Sequence, residues 1–202
     1  DNNYIIYKGL RNLKNPFLKA MLVKQEYSVS SITEPTKIDV AWYIAPLVNG
    51  TIRYGTAEEK DEIFEAFITY EPQEIVETMY GGEVRRESYF EYMARQGSNI
   101  RGRQNRDKLK CMEFLVNRVE ENNLQDEQLL IVKISRDDAV QIPKTITGLV
   151  AMELLKKYKK PTLVLRPRKL EDGSKVWAGS GRGKANGHFR SLFRMLGDSG
   201  LV

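Results

Sequence analysis

Gln128-Leu129-Leu130-Ile131-Val132-Lys133-Ile134-Ser135 is a short apolar run of the kind found in buried strands. Downstream of it, Ile146 to Tyr158 carries helical periodicity, and Pro161-Thr162-Leu163-Val164-Leu165 is a second buried strand. Strand, helix and strand at this spacing form a βαβ unit, for which a right-handed crossover is the default. After a Glu171-Asp172-Gly173 turn, Lys175 to Ala178 adds a third strand. Asn186 to Leu196, with Phe189, Leu192, Phe193 and Leu196, reads as a closing helix.

That third strand leads into the most informative stretch of the chain. Val176-Trp177-Ala178 enters Gly179-Ser180-Gly181-Arg182-Gly183-Lys184, which reads as a glycine-rich turn. Alternating glycines allow positive φ and close approach of a ligand, and their N–H groups can form an anion-binding concavity. Arg182 adds a planar, permanently charged fork that suits a phosphate or a carboxylate. Taken alone, these residues favour a plain hairpin turn with a solvated arginine. The rest of the chain decides between the two.

Upstream the pattern is helical. Two short helices are expected before Val23, separated by a break at Asn15-Pro16, and Asp1-Asn2 in front of the first reads as an internal boundary. A helix from Thr36 to Ala45, with Ile38, Ala41 and Trp42 on one face, is expected to stop against Pro46. Pro46 to Gly55 reads as turn-rich and holds Asn49 and Arg53. Glu58 to Tyr70 resumes helical periodicity, and Pro72 to Tyr80 reads as a further short helix. Glu83 to Arg106 is polar and arginine-rich, open to a mobile loop or a basic surface. A long helix is expected from about Asn105, with Leu109, Met112, Leu115, Val116 and Val119 as its apolar stripe, ending at Asn122-Asn123. The expected division is therefore a helical region over 1–104 and an α/β region over 105–202.

Composition narrows the chemistry. The chain has 202 residues, 41% of them apolar and 29% charged, as in a globular protein with a core. No apolar run approaches the roughly 20 residues of a membrane span. A single cysteine, Cys111, rules out an intrachain disulfide and fits a reducing, cytoplasmic setting. A single histidine, His188, lacks the companions of a metal site. The formal charge of +5 points mildly to an anionic partner.

Three stretches in order resemble the RecJ-type single-strand DNA-specific exonucleases of the DHH superfamily, in the part that follows their metal-binding DHH domain. Asn3-Tyr4-Ile5-Ile6-Tyr7-Lys8-Gly9-Leu10, then Asn15-Pro16 and Leu18 to Leu22, is similar to the family's helical connector. Ala45-Pro46, Asn49, Arg53 and Gly55 keep the register of its Ala-Pro-x-x-Asn-Ala-x-Gly-Arg-x-Gly motif. Thr147-Gly148-Leu149-Val150-Ala151, Pro161 to Leu165 and Gly179-Ser180-Gly181-Arg182 follow its DHHA1 substrate-binding domain.

The resemblance implies an α/β protein: a helical connector, then a DHHA1-type domain with a small mixed sheet that stops short of its C-terminal end. It implies the substrate-binding part of an exonuclease that hydrolyses phosphodiesters with Mn2+ or Mg2+ held by the absent upstream DHH domain. The chain would itself be catalytically inactive and hold no metal, with single-stranded DNA and that DHH domain as partners. Ser180, Gly181, Arg182, Gly179, Lys184, Arg53 and Asn49 are the residues it implies for nucleic-acid binding. Arg53 has an alternative as a salt bridge to Glu58, Glu59 or Asp61, and Asn49 as a loop brace. Lys156 to Lys160 read either as a phosphate track or as a solvated helix face. Trp177 and Phe189 read as packing residues before base-stacking ones.

The chain also departs from the pattern. The Asp and Asp-His-His metal motifs and the later Gly-Gly-His are not in these residues, and Pro143-Lys144-Thr145 stands where the family often has His-Pro-Gly. Two rival readings share the plan: an oligoribonuclease or cyclic-dinucleotide phosphodiesterase of the same superfamily, and a non-catalytic nucleic-acid-binding replication or repair scaffold.

Overall fold

A computed structural model describes residues 2–71, 73–184 and 191–200. The chain divides into two compact units, Asp1–Gln104 and Asn105–Val202.

In the first unit, α1 (Asn2–Arg11) is followed by α2 (Pro16–Lys24). Pro16 opens α2 where a missing N–H costs nothing, and Asn15 caps it by accepting from Leu18 N at 2.8 Å. The same Asn15 donates to Phe67 O at 2.8 Å, and Phe17 meets Phe67 edge-on at 4.8 Å between centroids. Phe17, Met21, Leu22, Ile44, Ile63, Ala66, Met93 and Ala94 form the core of this unit. None of the α1 residues is buried, so Tyr4 and Ile5 are exposed despite their helical spacing.

The helix expected to end at Pro46 does not end there. α3 (Lys37–Asp39), capped reciprocally by Thr36 and Asp39, passes through a π turn (Val40–Ile44) into α4 (Ala45–Tyr54). A proline inside a helix has no N–H to donate and clashes with the carbonyl four residues back. The wider π turn, closed by Ala45 N–H onto Val40 O, takes up that misfit, so Pro46 sits in the first turn of α4. The extra residue also rotates the faces. Asp39, Ile44 and Leu47 turn inward, whereas Ile38 and Trp42, expected on an apolar face, are exposed. The turn-rich reading of residues 46–55 is thus corrected to helix.

α5 (Ala57–Ile68) starts at a Thr56/Glu59 capping box and buries Ile63 and Ala66. The helix expected over 72–80 is instead strand β1 (Ile75–Tyr80), paired antiparallel with β2 (Glu83–Ser88). Gly81 and Gly82, at φ +60° and +87°, make the two-residue turn that such a hairpin requires. α6 (Tyr89–Glu121) then begins well before Asn105 and absorbs most of the region expected as a loop. Ser88 and Glu91 cap it reciprocally, and Glu91 is held below the usual carboxylate range mainly by the Ser88 N–H and hydroxyl. Two of its arginines find acids: Arg95 pairs with Glu87, and Arg103 holds Glu59 with bonds of 2.7 and 2.6 Å.

In the second unit the C-terminal half of α6 buries Cys111, Leu115 and Val119. β3 (Leu130–Lys133) runs parallel to β4 (Thr162–Lys169), with α7 (Thr147–Tyr158) as the crossover, and β5 (Lys175–Arg182) runs antiparallel to β4. The order β3-β4-β5 gives the small mixed sheet expected of the α/β class. Leu130, Val132, Thr162 and Val164 are fully buried on one sheet face, and α7 buries Val150, Ala151 and Leu154 in packing on the sheet. Arg118 anchors the loop after β3, forking onto Asp138 at 2.8 and 2.6 Å and donating to Lys133 O. α8 (Leu192–Asp198) overlaps the expected closing helix, whose residues 186–190 lie outside those described.

Candidate phosphate-binding site

Residues 179–182 form the end of strand β5, not a turn. Gly179 stands opposite Leu165, Ser180 opposite Val164, Gly181 opposite Leu163 and Arg182 opposite Thr162. The glycines serve the sheet: a Cβ on Gly179 would lie 1.8 Å from Val164 O, and one on Gly181 2.8 Å from Leu163 Cδ2 and 3.1 Å from Leu192 Cδ2. The concavity of N–H groups expected from a glycine turn is therefore replaced by a strand ladder. What this strand can offer an anion is its side chains.

Alternation along β5 puts Ser180 and Arg182 on one face and Trp177, Gly179 and Gly181 on the other. On the Ser180 and Arg182 side lies the N-terminus of α7. A Cβ on Gly148, the second residue of that helix, would lie 2.5 Å from Arg182 Nη2, 3.4 Å from its Cζ and 3.6 Å from Ser180 Oγ. Glycine here lets the guanidinium lie against the helix backbone. Arg182 donates through Nη1 to Gly181 O at 2.7 Å, is partly buried, and has no acidic partner among the described residues.

The helix end is itself short of acceptors. Its N-cap position is Ile146, which makes no side-chain cap, and Thr147 Oγ1 donates backwards to Pro143 O. First-turn N–H groups and the positive end of the helix dipole favour an anion. Lys144 and Thr145 are exposed in the 3-10 turn (Lys144–Ile146) just before it. Two sequence stretches far apart, 147–151 and 179–182, thus meet in a cationic, hydroxyl-bearing corner. That meeting of Gly148 with Arg182 is what the sequence did not reveal.

The other expected residues lie elsewhere. Lys184 is exposed, two residues beyond β5. Asn49 and Arg53 belong to the first unit and are exposed on α4, so Asn49 braces no loop. Glu59, one acid considered for Arg53, is taken by Arg103, whose hydrogen bonds hold the carboxyl below its ordinary range. Arg53 pairs with no acid among the described residues. Lys156 and Lys157 pair with Glu153 and Glu120, and Lys160 donates to Gln125 O, so this run is engaged with the protein itself. Trp177 is 48% exposed with Lys133 Nζ 5.4 Å from its ring centroid, so it is not the packing residue expected. Phe189 and His188 lie outside the described residues. Cys111 is buried, and burial pushes its thiol up.

Among the described residues no group of three or more His, Cys, Asp or Glu is placed to hold a metal ion. No helix among them is long and apolar enough to cross a membrane.

The fold is that of a RecJ-type α/β module preceded by helices. Solved structures agree: RecJ of Thermus thermophilus in complex with Mn2+ matches over 91% of this chain and 22% of its own, with a TM-score of 0.57 and 14% identity. An exonuclease RecJ bound to manganese matches over 96% of this chain and 40% of its own, with a TM-score of 0.55 and 14% identity. At the sequence level, the chain is 32% identical over 201 residues to the "Putative SPbeta prophage-derived single-strand DNA-specific exonuclease YorK" of Bacillus subtilis (strain 168). The corresponding protein of Bacillus phage SPbeta matches to the same extent. The chain spans about a third (34%) of the length of these relatives. No protein-family model matches it.

Proposed function

We propose that this chain is the substrate-binding part of a cytoplasmic exonuclease specific for single-stranded DNA, and that Arg182, Ser180 and the N-terminus of α7 grip a backbone phosphate. The observation that carries this reading is the approach of the Arg182 guanidinium to Gly148, beside Ser180 Oγ, at a helix end with no side-chain cap. Relatives whose names specify single-strand DNA exonucleases support the substrate class. Gly179 and Gly181 act in this reading by holding β5 against β4, and Lys184 by adding charge beyond the strand. The 1–104 region serves as the helical connector and 105–202 as the DHHA1-type domain.

Hydrolysis belongs to the longer protein. The RecJ structures carry Mn2+ or Mg2+, and the described residues include no donor set that fits such an ion. In our reading a metal-binding domain outside this chain supplies that chemistry. This chain's own work is to bind, orient and neutralise the strand, and alone it is inactive.

Binding of a fluorescent single-stranded oligonucleotide across a salt series tests the grip. Each phosphate neutralised on a single strand contributes about 0.7 to the slope of log K against log salt. Arg182→Ala is expected to flatten that slope by about this amount and to weaken binding, with the melting temperature unchanged. Equal binding by both proteins would remove Arg182 from the interface.

A further inference from the structure

Arginines on the first-unit part of α6 divide into two kinds. Arg95 donates to buried Glu87 and to Thr78, and Arg103 forks onto Glu59. Arg101, between them, is partly buried and meets no carboxylate among the described residues. Partial burial of an unneutralised guanidinium is unfavourable unless an anion completes it.

The packing says where that anion would sit. α6 crosses α4 at a point where a Cβ on Gly50 would lie 3.3 Å from Arg101 Cβ and 3.6 Å from its Cγ. Arg53 follows Gly50 by three residues, so the two are neighbours on one side of α4. Arg53 is exposed and likewise has no acidic partner among the described residues. Arg101 thus lies against α4 at Gly50, three residues before Arg53 on that helix, and neither guanidinium meets an acid among the described residues. One turn along α6, Gln104 is 7% exposed and its Nε2 has no hydrogen-bond partner. A buried amide donor left open is costly and marks a place where an acceptor is expected.

We propose that Arg101 and Arg53 together form a second oxyanion site at the α4–α6 crossing, one that takes a phosphodiester of the bound single strand. The inference rests on the nucleic-acid reading above and adds a residue, Arg101, that no motif names. Two planar forks suit a tetrahedral oxyanion better than point charges do, because each can donate in parallel to two oxygens. Glu59 does not compete for them, since it is already held by Arg103.

The test is a salt series of single-stranded oligonucleotide binding to the chain, its Arg101→Gln and Arg101→Lys variants and, in parallel, Arg182→Ala. Arg101→Gln is expected to flatten the slope by about 0.7 and to weaken binding roughly fivefold near 0.1 M salt, with helicity and melting unchanged. Arg101→Lys is expected to restore the slope but not the full affinity, because charge returns without the fork. Where Arg101→Gln loses helicity, Gly50→Ala replaces it: both arginines remain, but the new Cβ crowds Arg101 and weakens binding. Wild-type binding by Arg101→Gln alongside weakened Arg182→Ala would overturn this site and leave the general reading standing. An unmodified chain that does not bind the oligonucleotide would overturn both.

Discussion

Gly148→Ala separates the role of the helix end from the charge of Arg182. The added Cβ would lie 2.5 Å from Arg182 Nη2. An ordinary contact is roughly 3.5 Å, so the guanidinium must retreat by about 1 Å. Because the obstacle is the far end of a flexible side chain, α7 is expected to survive the change. Alanine in a helix is favoured over glycine by up to about 1 kcal/mol, which predicts a melting temperature unchanged or raised by about 2–4 °C. Binding should move the other way. A charge-assisted hydrogen bond contributes about 1.5–3 kcal/mol, so losing its alignment should weaken single-strand binding at least about tenfold. The assay pairs fluorescence anisotropy with thermal melting on the same protein. Increased stability with undiminished binding would refute the idea that Arg182 works from its seat against α7. Lower stability would refute the claim that the guanidinium, not the backbone, gives way.

Four further substitutions test the structure. Gly179→Ala, whose Cβ would lie 1.8 Å from Val164 O, should destabilise the sheet by about 3 kcal/mol or more, seen as loss of cooperative melting; normal melting would show that β4 and β5 can separate cheaply. Burial alone would raise the Asp39 carboxyl, but hydrogen bonds from the Ser30 and Thr36 hydroxyls and N–H groups outweigh it and hold it well below the usual carboxylate range. Its contribution is therefore present above the unfolded pKa of about 3.9 and is lost as pH falls below it; the melting temperature of Asp39→Asn should be lower near neutral pH and converge with wild type in acid. Arg182→Ala and Arg101→Gln, each measured against salt, complete the set.

The second unit was legible because its signals are local and redundant. Apolar runs at 130–133 and 162–165 flank a periodic helix, and a βαβ unit buries all three. The first unit misled at two points where one local signal overrode another. Pro46 is a helix stop by its own chemistry, and only a π turn, invisible to any 3.6-residue count, lets the chain continue. Residues 72–80 carry charges at intervals that suit a helix, yet Ile75, Val76, Thr78 and Tyr80 followed by Gly81-Gly82 are β-branched or aromatic residues before a hairpin turn, and that signal was there to read. The first half of α6 stayed hidden because its buried side is Met93, Ala94, Gly97 and Ile100, too small and sparse to register as a stripe. Two of its arginines are held by acids outside the helix, Arg95 by Glu87 and Arg103 by Glu59, the second of these 44 residues away in sequence and beyond any local window.

The glycines were legible as residues but not as causes. The sequence suggests that Gly179 and Gly181 bend the chain around a ligand; they instead let two strands approach, and the anion site falls to side chains. The same device recurs at Gly148 beneath Arg182 and at Gly50 beneath Arg101. In each case a helical glycine omits the Cβ that would push away an arginine from the neighbouring element, and that arginine is left without an acid among the described residues. Such a position costs helix propensity, about 1 kcal/mol at an interior site, and leaves a cation underpaired. Neither cost is offset among the described residues. The compensation is therefore expected from an external anion, and two such seats, one in each unit, suit a ligand that repeats its negative charge along its length.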